Sequence, residues 1–313
     1  MLVKAPLLRS LRSRDRMSDR GIIIKGVGGL YSVMSGGSKH ECKARGVFRK
    51  EGVTPTVGDH VSFEDGVITE ILPRKNTLIR PAVSNIDKLF IVIAVANPDP
   101  DSYYIDKLTV IAEYYGIEPV LIFNKNDLDN ILEVDQIYQG LPYKKYYLTA
   151  NDETDVVQAG HLAGELNGCT AAFAGLSGVG KSSILNLLAK TDGSESVRAE
   201  VGKISEKLLR GKHTTRHVEL FPLCGGFLAD TPGFGSVEFT YFDIKDRNRL
   251  QDCFPEFSEW IGSCRFQDCH HVRDKGCAVR QAAERGDIPP ERYESYCKMY
   301  ESLGEYKPWE DKK

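Results

Sequence analysis

The stretch Gly175-Leu176-Ser177-Gly178-Val179-Gly180-Lys181-Ser182 determines how this chain is expected to fold. It satisfies the phosphate-loop pattern, in which glycines at fixed spacing precede a lysine and a hydroxyl residue. A predicted strand from Thr170 to Ala174 leads into it, and a predicted helix follows it as far as Ala189. In that context the loop N–H groups turn toward phosphate oxygens, Lys181 reaches the β- and γ-phosphates, and Ser182 can ligate Mg²⁺. The stretch therefore predicts a P-loop nucleotide-binding domain.

Two more motifs follow predicted strands. In Asp230-Thr231-Pro232-Gly233, the carboxylate of Asp230 can join the Mg²⁺ shell and the N–H of Gly233 can bind the γ-phosphate. In Asn124-Lys125-Asn126-Asp127, the carboxylate of Asp127 can accept from both the N1 and N2 hydrogens of guanine, a pair of donors that adenine lacks. We expect Asn124 to connect this loop to the phosphate loop and Lys125 to lay its alkyl stem over the base. These residues favour GTP over ATP, and they argue against a P-loop kinase or ATPase.

The order of the motifs is unusual, because the guanine-reading motif precedes the phosphate loop instead of following it. A chain can be permuted in this way when its original termini lie near each other, since the same pocket is then rebuilt from the rearranged order. Thr149-Ala150, after the next predicted strand, lies where a backbone N–H could meet the guanine O6. The pattern predicts an α/β fold, a circularly permuted P-loop GTPase domain with a parallel sheet covered by helices.

A glycine- and charge-rich segment, Gly211-Lys212-His213-Thr214-Thr215, lies between the phosphate loop and Asp230 and is typical of a mobile switch loop. A threonine here would complete the Mg²⁺ shell; Thr215 is favoured and Thr214 stays open. Phe234 stands where many small GTPases carry the glutamine that orients the attacking water. His213 is the nearest candidate for that role, and the alternative is a solvated loop histidine without catalytic duty.

The segments before and after this domain have different residue patterns. From Gly21 to Leu78, short apolar stretches broken by glycines predict about five strands, which fit a closed barrel of the oligonucleotide-binding type or a generic small barrel with no nucleic-acid role. Beyond Ser236 we expect a mainly helical module. Its spacing Cys264-x4-Cys269-x-His271-x5-Cys277 offers three thiolates and one imidazole, enough for a closed structural Zn²⁺ site, although His270 could compete as a ligand.

The composition limits the possible functions. The chain has 313 residues, of which 41% are hydrophobic, and a formal net charge of -3, which argues against a uniformly basic nucleic-acid binder. No apolar run reaches the roughly 18 to 20 residues of a membrane-spanning helix. Eight cysteines in a chain this long indicate a reducing cytosol and one metal site. The basic residues before Met17 are compatible with a transit peptide, an rRNA-binding tail or a start codon placed too early.

Together these features resemble the ribosome small-subunit-dependent GTPase A family (RsgA, also called YjeQ) from about Gly21 onward. No single motif would suffice for this resemblance. The motifs that bear it are Asn124 to Asp127, Gly175 to Ser183, Gly211 to Thr215, Asp230 to Phe234, and the set Cys264, Cys269, His271 and Cys277.

The resemblance implies a GTP hydrolase that acts in late maturation of the small (30S) ribosomal subunit and contacts its rRNA. It implies that the subunit stimulates GTP hydrolysis. It also implies zinc at the Cys/His set and a role in hydrolysis for His213, although Lys212 replaces the arginine of the family's Gly-Arg-His-Thr-Thr segment. Asn151 stands where many GTPases have lysine. The alternative function is a zinc-containing RNA-binding protein that uses GTP as a binding switch with little hydrolysis.

We expect a cytoplasmic monomer with a basic arm at 1–17, an OB-fold barrel at 18–80, the permuted GTPase domain at 81–238 and a zinc-binding helical domain at 239–313. The expected catalytic residues are His213, Lys181 and Thr215. The residues expected to bind GTP or GDP are Asn124, Lys125, Asn126, Asp127, Thr149, Ala150, Gly175, Leu176, Ser177, Gly178, Val179, Gly180, Lys181, Ser182, Ser183, Asp230 and Gly233. The expected Mg²⁺ ligands are Ser182 and Thr215.

Overall fold

The computed structural model describes residues 19–50, 52–79, 81–128, 132–150, 156–193, 218–230 and 239–303. Several expectations fall outside these ranges. They concern the basic arm at 1–17, the switch residues His213, Thr214 and Thr215, and also Asn151, Gly233 and Phe234.

A five-stranded barrel forms the N-terminal part. Strand β1 pairs antiparallel with β2 and also with β4, β2 pairs with β3, and β3 reaches β5 in parallel, so that the ring closes through the pair β4–β5. Ile23, Val33, Val61 and Ile68 fill its interior with no exposed surface. The predicted closed barrel is confirmed. Its elements are β1 (Asp19–Val27), β2 (Leu30–Ser35), β3 (Ser38–Ala44), α1 (Gly46–Lys50), β4 (His60–Glu64) and β5 (Val67–Ile71).

A buried carboxylate holds the segment that leaves the barrel. Asp59, which has no exposed surface, accepts from Arg74 through both oxygens at 2.6 and 2.7 Å and from the hydroxyl of Ser84 at 2.6 Å. All of these bonds are charge-assisted, and they offset the cost of burying the charge. The two short strands β6 (Thr77–Leu78) and β7 (Val83–Ser84) pair beside this network.

The central sheet has the strand order β10-β9-β8-β11-β13, all parallel, with β12 antiparallel to β13. Strand β8 is buried at six of its seven residues, as expected for a central parallel strand covered on both faces. The predicted parallel sheet is confirmed. Its elements are β8 (Lys88–Ala94), α2 (Ser102–Tyr114), β9 (Glu118–Asn124), α3 (Leu132–Tyr138), β10 (Lys144–Leu148), α4 (Val156–Gly164), β11 (Thr170–Ala174), α5 (Lys181–Asp192), β12 (Glu219–Leu223) and β13 (Gly226–Asp230).

Barrel and central sheet are continuous, which the sequence did not predict. Strand β1 pairs antiparallel with β12 at Lys25 and Glu219, and the Lys25 amine donates to both carboxylate oxygens of Glu219 at 3.0 and 3.1 Å. Because β12 is the antiparallel edge strand of the sheet, it offers unpaired backbone groups that β1 can use.

The C-terminal part is helical, as predicted, but its first half consists of 3₁₀ helices instead of α-helices. Phe254 and Phe257 stack in this part, and Tyr296 packs edge-to-face against both, with ring centroids 4.9 to 5.3 Å apart. Within the described ranges, no helix is long and apolar enough to cross a membrane. The elements are 3₁₀ helices at Phe239–Phe242, Arg247–Cys253 and Pro255–Phe257, α6 (Ala278–Arg285) and α7 (Pro290–Leu303).

Candidate nucleotide and metal sites

The phosphate loop connects β11 to the N-terminus of α5 and requires glycine at defined positions. Gly175 and Gly180 have φ values of 140° and 101°, which residues with a side chain rarely adopt. A Cβ at Gly175 would lie 2.4 Å from the carbonyl oxygen of Val92, and one at Gly180 would lie 2.1 Å from Nδ2 of Asn124. The loop therefore packs directly on the backbone of β8 and on the guanine-reading motif, and its N–H groups lie at a helix N-terminus, where an anion is favoured.

Asn124 connects three loops of the expected nucleotide site. Its side chain is buried; Nδ2 donates to the carbonyl oxygen of Val179 at 2.8 Å, and Oδ1 accepts from the N–H of Ala150 at 3.0 Å. The predicted hydrogen bond between the guanine-reading loop and the phosphate loop is thus present. Of the pair Thr149-Ala150, from which a backbone N–H could meet the guanine O6, the N–H of Ala150 is directed at Asn124 in this structure.

The remainder of the guanine-reading motif surrounds an accessible carboxylate. Asp127 is exposed, whereas the backbone N–H of Asn126 donates to the carbonyl of Leu148 at 3.4 Å. Lys125 has a φ of 65°, and its amine donates to the carbonyl of Asn97, in the loop that follows β8. On the other side of Asp127 the backbone N–H of Leu128 donates to the carbonyl of Lys125 at 3.0 Å, so the backbone is held on both sides and the exposed carboxylate is accessible to a base.

Lys181 lies within the phosphate loop. Its amine donates to the carbonyl oxygens of Gly175 and Leu176, each at 2.7 Å. Burial lowers the pKa of this amine from its usual 10.5 to about 8. A phosphate group beside the amine would favour the charged form, because an opposite charge reverses the effect of burial.

The structure describes several of the other residues that are expected to bind the nucleotide. Ser182 and Ser183 are half-buried in the first turn of α5. Leu176 and Ser177 lie in the loop, with Leu176 half-buried and Ser177 exposed, and Thr149 directly follows β10. Asp230 ends β13, which is the neighbour of β11 in parallel register, so its backbone is at the same edge of the sheet as the phosphate loop.

The four expected metal ligands converge in the C-terminal part. One ligand atom from each of Cys264, Cys269, His271 and Cys277 lies within 4.8 Å of the others. Nδ1 of His271 is 3.5 Å from the sulfur of Cys264 and 3.5 Å from that of Cys277. A tetrahedral Zn²⁺ with Zn–S of about 2.3 Å and Zn–N of about 2.05 Å gives S···N separations of about 3.5 Å, so the donors fit this ion.

Burial and hydrogen bonding act in opposite directions on the ligands of this cluster. Burial raises the pKa of the Cys269 and Cys277 thiols and lowers the pKa of His271. The N–H groups of Ala278 and Arg280 donate to the sulfurs of Cys264 and Cys277 at 3.3 Å each. Such donors stabilise thiolates, which are the form that binds a metal.

Gln251 is a functional candidate that sequence reasoning missed. Its Oε1 is 2.9 Å from Nε2 of His271, which fixes the ring with Nδ1 facing the thiols. No motif in the sequence marks it, since it lies twenty residues before the histidine. The ring of His270 instead packs against Tyr300, with centroids 5.5 Å apart, and His270 is not among the four converging groups.

Comparisons with known proteins agree with this geometry. The chain matches the family described as RsgA GTPase over residues 71–240 and the RsgA N-terminal domain over residues 20–69. The small ribosomal subunit biogenesis GTPase RsgA of Ruminiclostridium cellulolyticum is 42% identical over 305 residues, which cover 94% of this chain and 96% of that protein. The protein of the same name from Geobacillus thermodenitrificans is 40% identical over 92% of this chain and 98% of its own length.

Two solved structures share the fold. YjeQ from Thermotoga maritima superimposes with a TM-score of 0.76 at 33% identity and covers 93% of this chain and 100% of its own. YloQ, described as a circularly permuted GTPase, also has a TM-score of 0.76, at 31% identity, and covers 95% of this chain and 98% of its own.

Proposed function

The chain belongs to the RsgA GTPase family, and on that premise we propose that it hydrolyses GTP to GDP and phosphate during late maturation of the small (30S) ribosomal subunit, with turnover stimulated by that subunit. The family and the names of its relatives support the ribosomal part of this proposal. The observation that most directly supports the nucleotide site is the pair of hydrogen bonds made by Asn124, at 2.8 and 3.0 Å, which hold the guanine-reading loop, the phosphate loop and the segment after β10 together. The exposed carboxylate of Asp127, on the same loop, suits the paired N1 and N2 donors of guanine, which adenine lacks.

Within this site, the chain's own residues bind and orient the nucleotide. Asp127 accepts from the guanine N1 and N2 hydrogens, and the stem of Lys125 covers the base. The N–H groups from Gly175 to Ser183 and the amine of Lys181 bind the phosphates. Ser182, Thr215 and Asp230 are proposed for the Mg²⁺ shell, which neutralises charge on the phosphates when the ion is bound.

His213 is proposed to orient the attacking water, and Gly233 to bind the γ-phosphate through its N–H. GTP and Mg²⁺ would order the switch segment, and contact with rRNA would bring His213 to the water. We expect His213→Ala to keep its GTP affinity and to lose subunit-stimulated turnover. Equal stimulated turnover in the variant would exclude this role.

The proposed division of the chain assigns rRNA contact to the barrel at 18–80, nucleotide turnover to residues 81–238 and a structural Zn²⁺ to residues 239–313, with the arm at 1–17 unassigned. The proposed zinc ligands are Cys264, Cys269, His271 and Cys277, whose donor spacing suits a tetrahedral ion. The protein is proposed to act as a cytoplasmic monomer.

The test is GTP hydrolysis by the purified protein with and without purified small subunits, with ATP as the control nucleotide. GTP-specific stimulation by the subunit is the expected result. GTP binding without stimulation would leave a nucleotide-dependent binding switch and would remove the proposed stimulated turnover.

A further inference from the structure

A row of paired residues runs from the barrel into the central sheet. Lys25 on β1 lies opposite Glu219 on β12, and Glu219 lies opposite Asp230 on β13. On the barrel side, Lys25 lies opposite Ser32 on β2, and Ser32 lies opposite Glu41 on β3. Backbone pairing across five strands therefore connects the barrel to the residue proposed for the Mg²⁺ shell.

The end of β13 is positioned by β12. The ladder between β13 and β11 pairs residues 227 to 229, whereas the ladder between β13 and β12 extends one residue further, to Asp230. Its partner Glu219 is the first residue of β12, and the neighbours of Glu219 on both sides, Val218 and Leu220, are buried. Because opposite residues of an antiparallel ladder are held at a fixed separation, a shift of this first residue moves the backbone of Asp230 relative to the phosphate loop.

The first residue of β12 is held on its other edge by Lys25. The Lys25 amine donates to both carboxylate oxygens of Glu219 at 3.0 and 3.1 Å, and the two side chains are 41% and 21% exposed. In the part of the chain that the structure describes, this is the one residue pair in the ladder between β1 and β12. Glu219 is the only charged residue of β12, and Lys25 is the only one of β1 beyond Arg20. Because a single backbone pair specifies register weakly, the ion pair selects which residues of the two strands face each other.

Lys25 is itself fixed by the barrel. Strand β1 is paired with β2 on one edge, and its residues 19–22 are paired with β4. Ser32, opposite Lys25, is buried and donates its hydroxyl to Glu41 at 2.7 Å. Since these contacts lie within the closed barrel, the position of Lys25 follows the barrel and not the central sheet.

We propose that Lys25 and Glu219 are positioning residues for Mg²⁺ binding, which transmit the position of the barrel to Asp230. Both lie outside the nucleotide motifs. The ion pair holds the start of β12 against the barrel, and β12 holds the end of β13. A ligand that moves the barrel would thus alter the Mg²⁺ shell without contacting the nucleotide. The inference rests on the Mg²⁺ role proposed above for Asp230.

The test uses the full-length protein and a fluorescent, non-hydrolysable GTP analogue, whose affinity is measured over a series of Mg²⁺ concentrations and in excess chelator. The variants are Lys25→Glu, Glu219→Lys and the double variant that exchanges the two charges. Lys144→Glu is the matched control, because it reverses a lysine that is 49% exposed and ion-paired with Glu118 at the opposite end of the parallel strands. Asp230→Asn gives the effect of removing the proposed ligand itself, and the melting temperature is measured for every variant.

We expect each single charge reversal to raise the Mg²⁺ concentration needed for half-maximal affinity about threefold to fivefold, since a partly exposed ion pair contributes no more than this. Affinity in excess chelator should stay within about twofold of wild type, because Asp230 acts on the nucleotide through the ion. The double variant should return to within about twofold of the wild-type Mg²⁺ requirement, because the ion pair is restored in reverse. Lys144→Glu should keep the wild-type Mg²⁺ requirement.

Opposite shifts in the two single variants would overturn the inference. By charge alone, Lys25→Glu would lower the Mg²⁺ requirement and Glu219→Lys would raise it. A wild-type requirement in both single variants, or no recovery in the double variant, would also overturn it. An equal shift in Lys144→Glu would do the same, because it would reflect a general loss of stability.

Two other results concern the proposed nucleotide site itself. Failure of the wild-type protein to bind the analogue would overturn that site. An unchanged Mg²⁺ requirement in Asp230→Asn would overturn the proposed Mg²⁺ ligand, and the inference with it.

Discussion

The amine of Lys181 should make GDP binding depend on pH in a predictable direction. In the free protein its pKa is about 8 because it is buried, whereas a bound phosphate keeps it charged to higher pH. Binding therefore takes up a proton above pH 8, and affinity falls as pH rises. With a bound-state pKa of 10.5 or higher, affinity should decrease about fourfold between pH 7 and pH 8.5, which corresponds to about 0.8 kcal/mol.

Calorimetry in buffers of different ionisation enthalpy measures the proton directly. We expect an uptake of about 0.1 proton per GDP at pH 7 and about 0.75 at pH 8.5. Lys181→Met is the control, because it removes the titrating amine while other groups, including the phosphates of GDP, remain. Its binding should be weaker overall and should lack this decrease. A wild-type affinity that is constant over this range, or an equal slope in Lys181→Met, would refute the reasoning.

Three further predictions concern a steric clash, a hydrogen bond to a metal-binding histidine and a buried ion pair. Gly180→Ala should abolish GDP binding, because its Cβ would lie 2.1 Å from a buried side-chain amide. The control Gly193→Ala, where a Cβ meets nothing within 4 Å, should lose only about 1 kcal/mol of stability and keep GDP affinity within twofold. Similar GDP affinity in both variants would contradict the clash. Gln251→Leu should weaken zinc affinity about 10- to 100-fold in a chelator competition, since the metal-facing histidine loses its hydrogen-bond partner; an unchanged affinity would show that the contact is incidental. Asp59→Ala should cost about 3 to 5 kcal/mol in urea unfolding because it leaves Arg74 without its buried partner; a cost below about 1 kcal/mol would contradict this.

The sequence alone determined the features that depend on local chemistry. The phosphate loop needs glycine where the backbone turns and approaches β8, so Gly175 and Gly180 could be recognised from spacing. The guanine-reading motif, its position before the phosphate loop and the Cys/His spacing are equally local. Short apolar stretches broken by glycines likewise predicted the barrel, because strand and turn preferences are local properties of the sequence.

Only the tertiary structure decided how these parts contact each other. Arg292 lies in the charged helix Pro290–Leu303, yet docking against α2 buries it completely beside Asp106, 186 positions earlier. The pairing of β1 with β12 and the contact between Gln251 and His271 have the same origin. Such contacts depend on how separate elements pack and on which edges remain unpaired, and no local pattern of residues encodes that geometry.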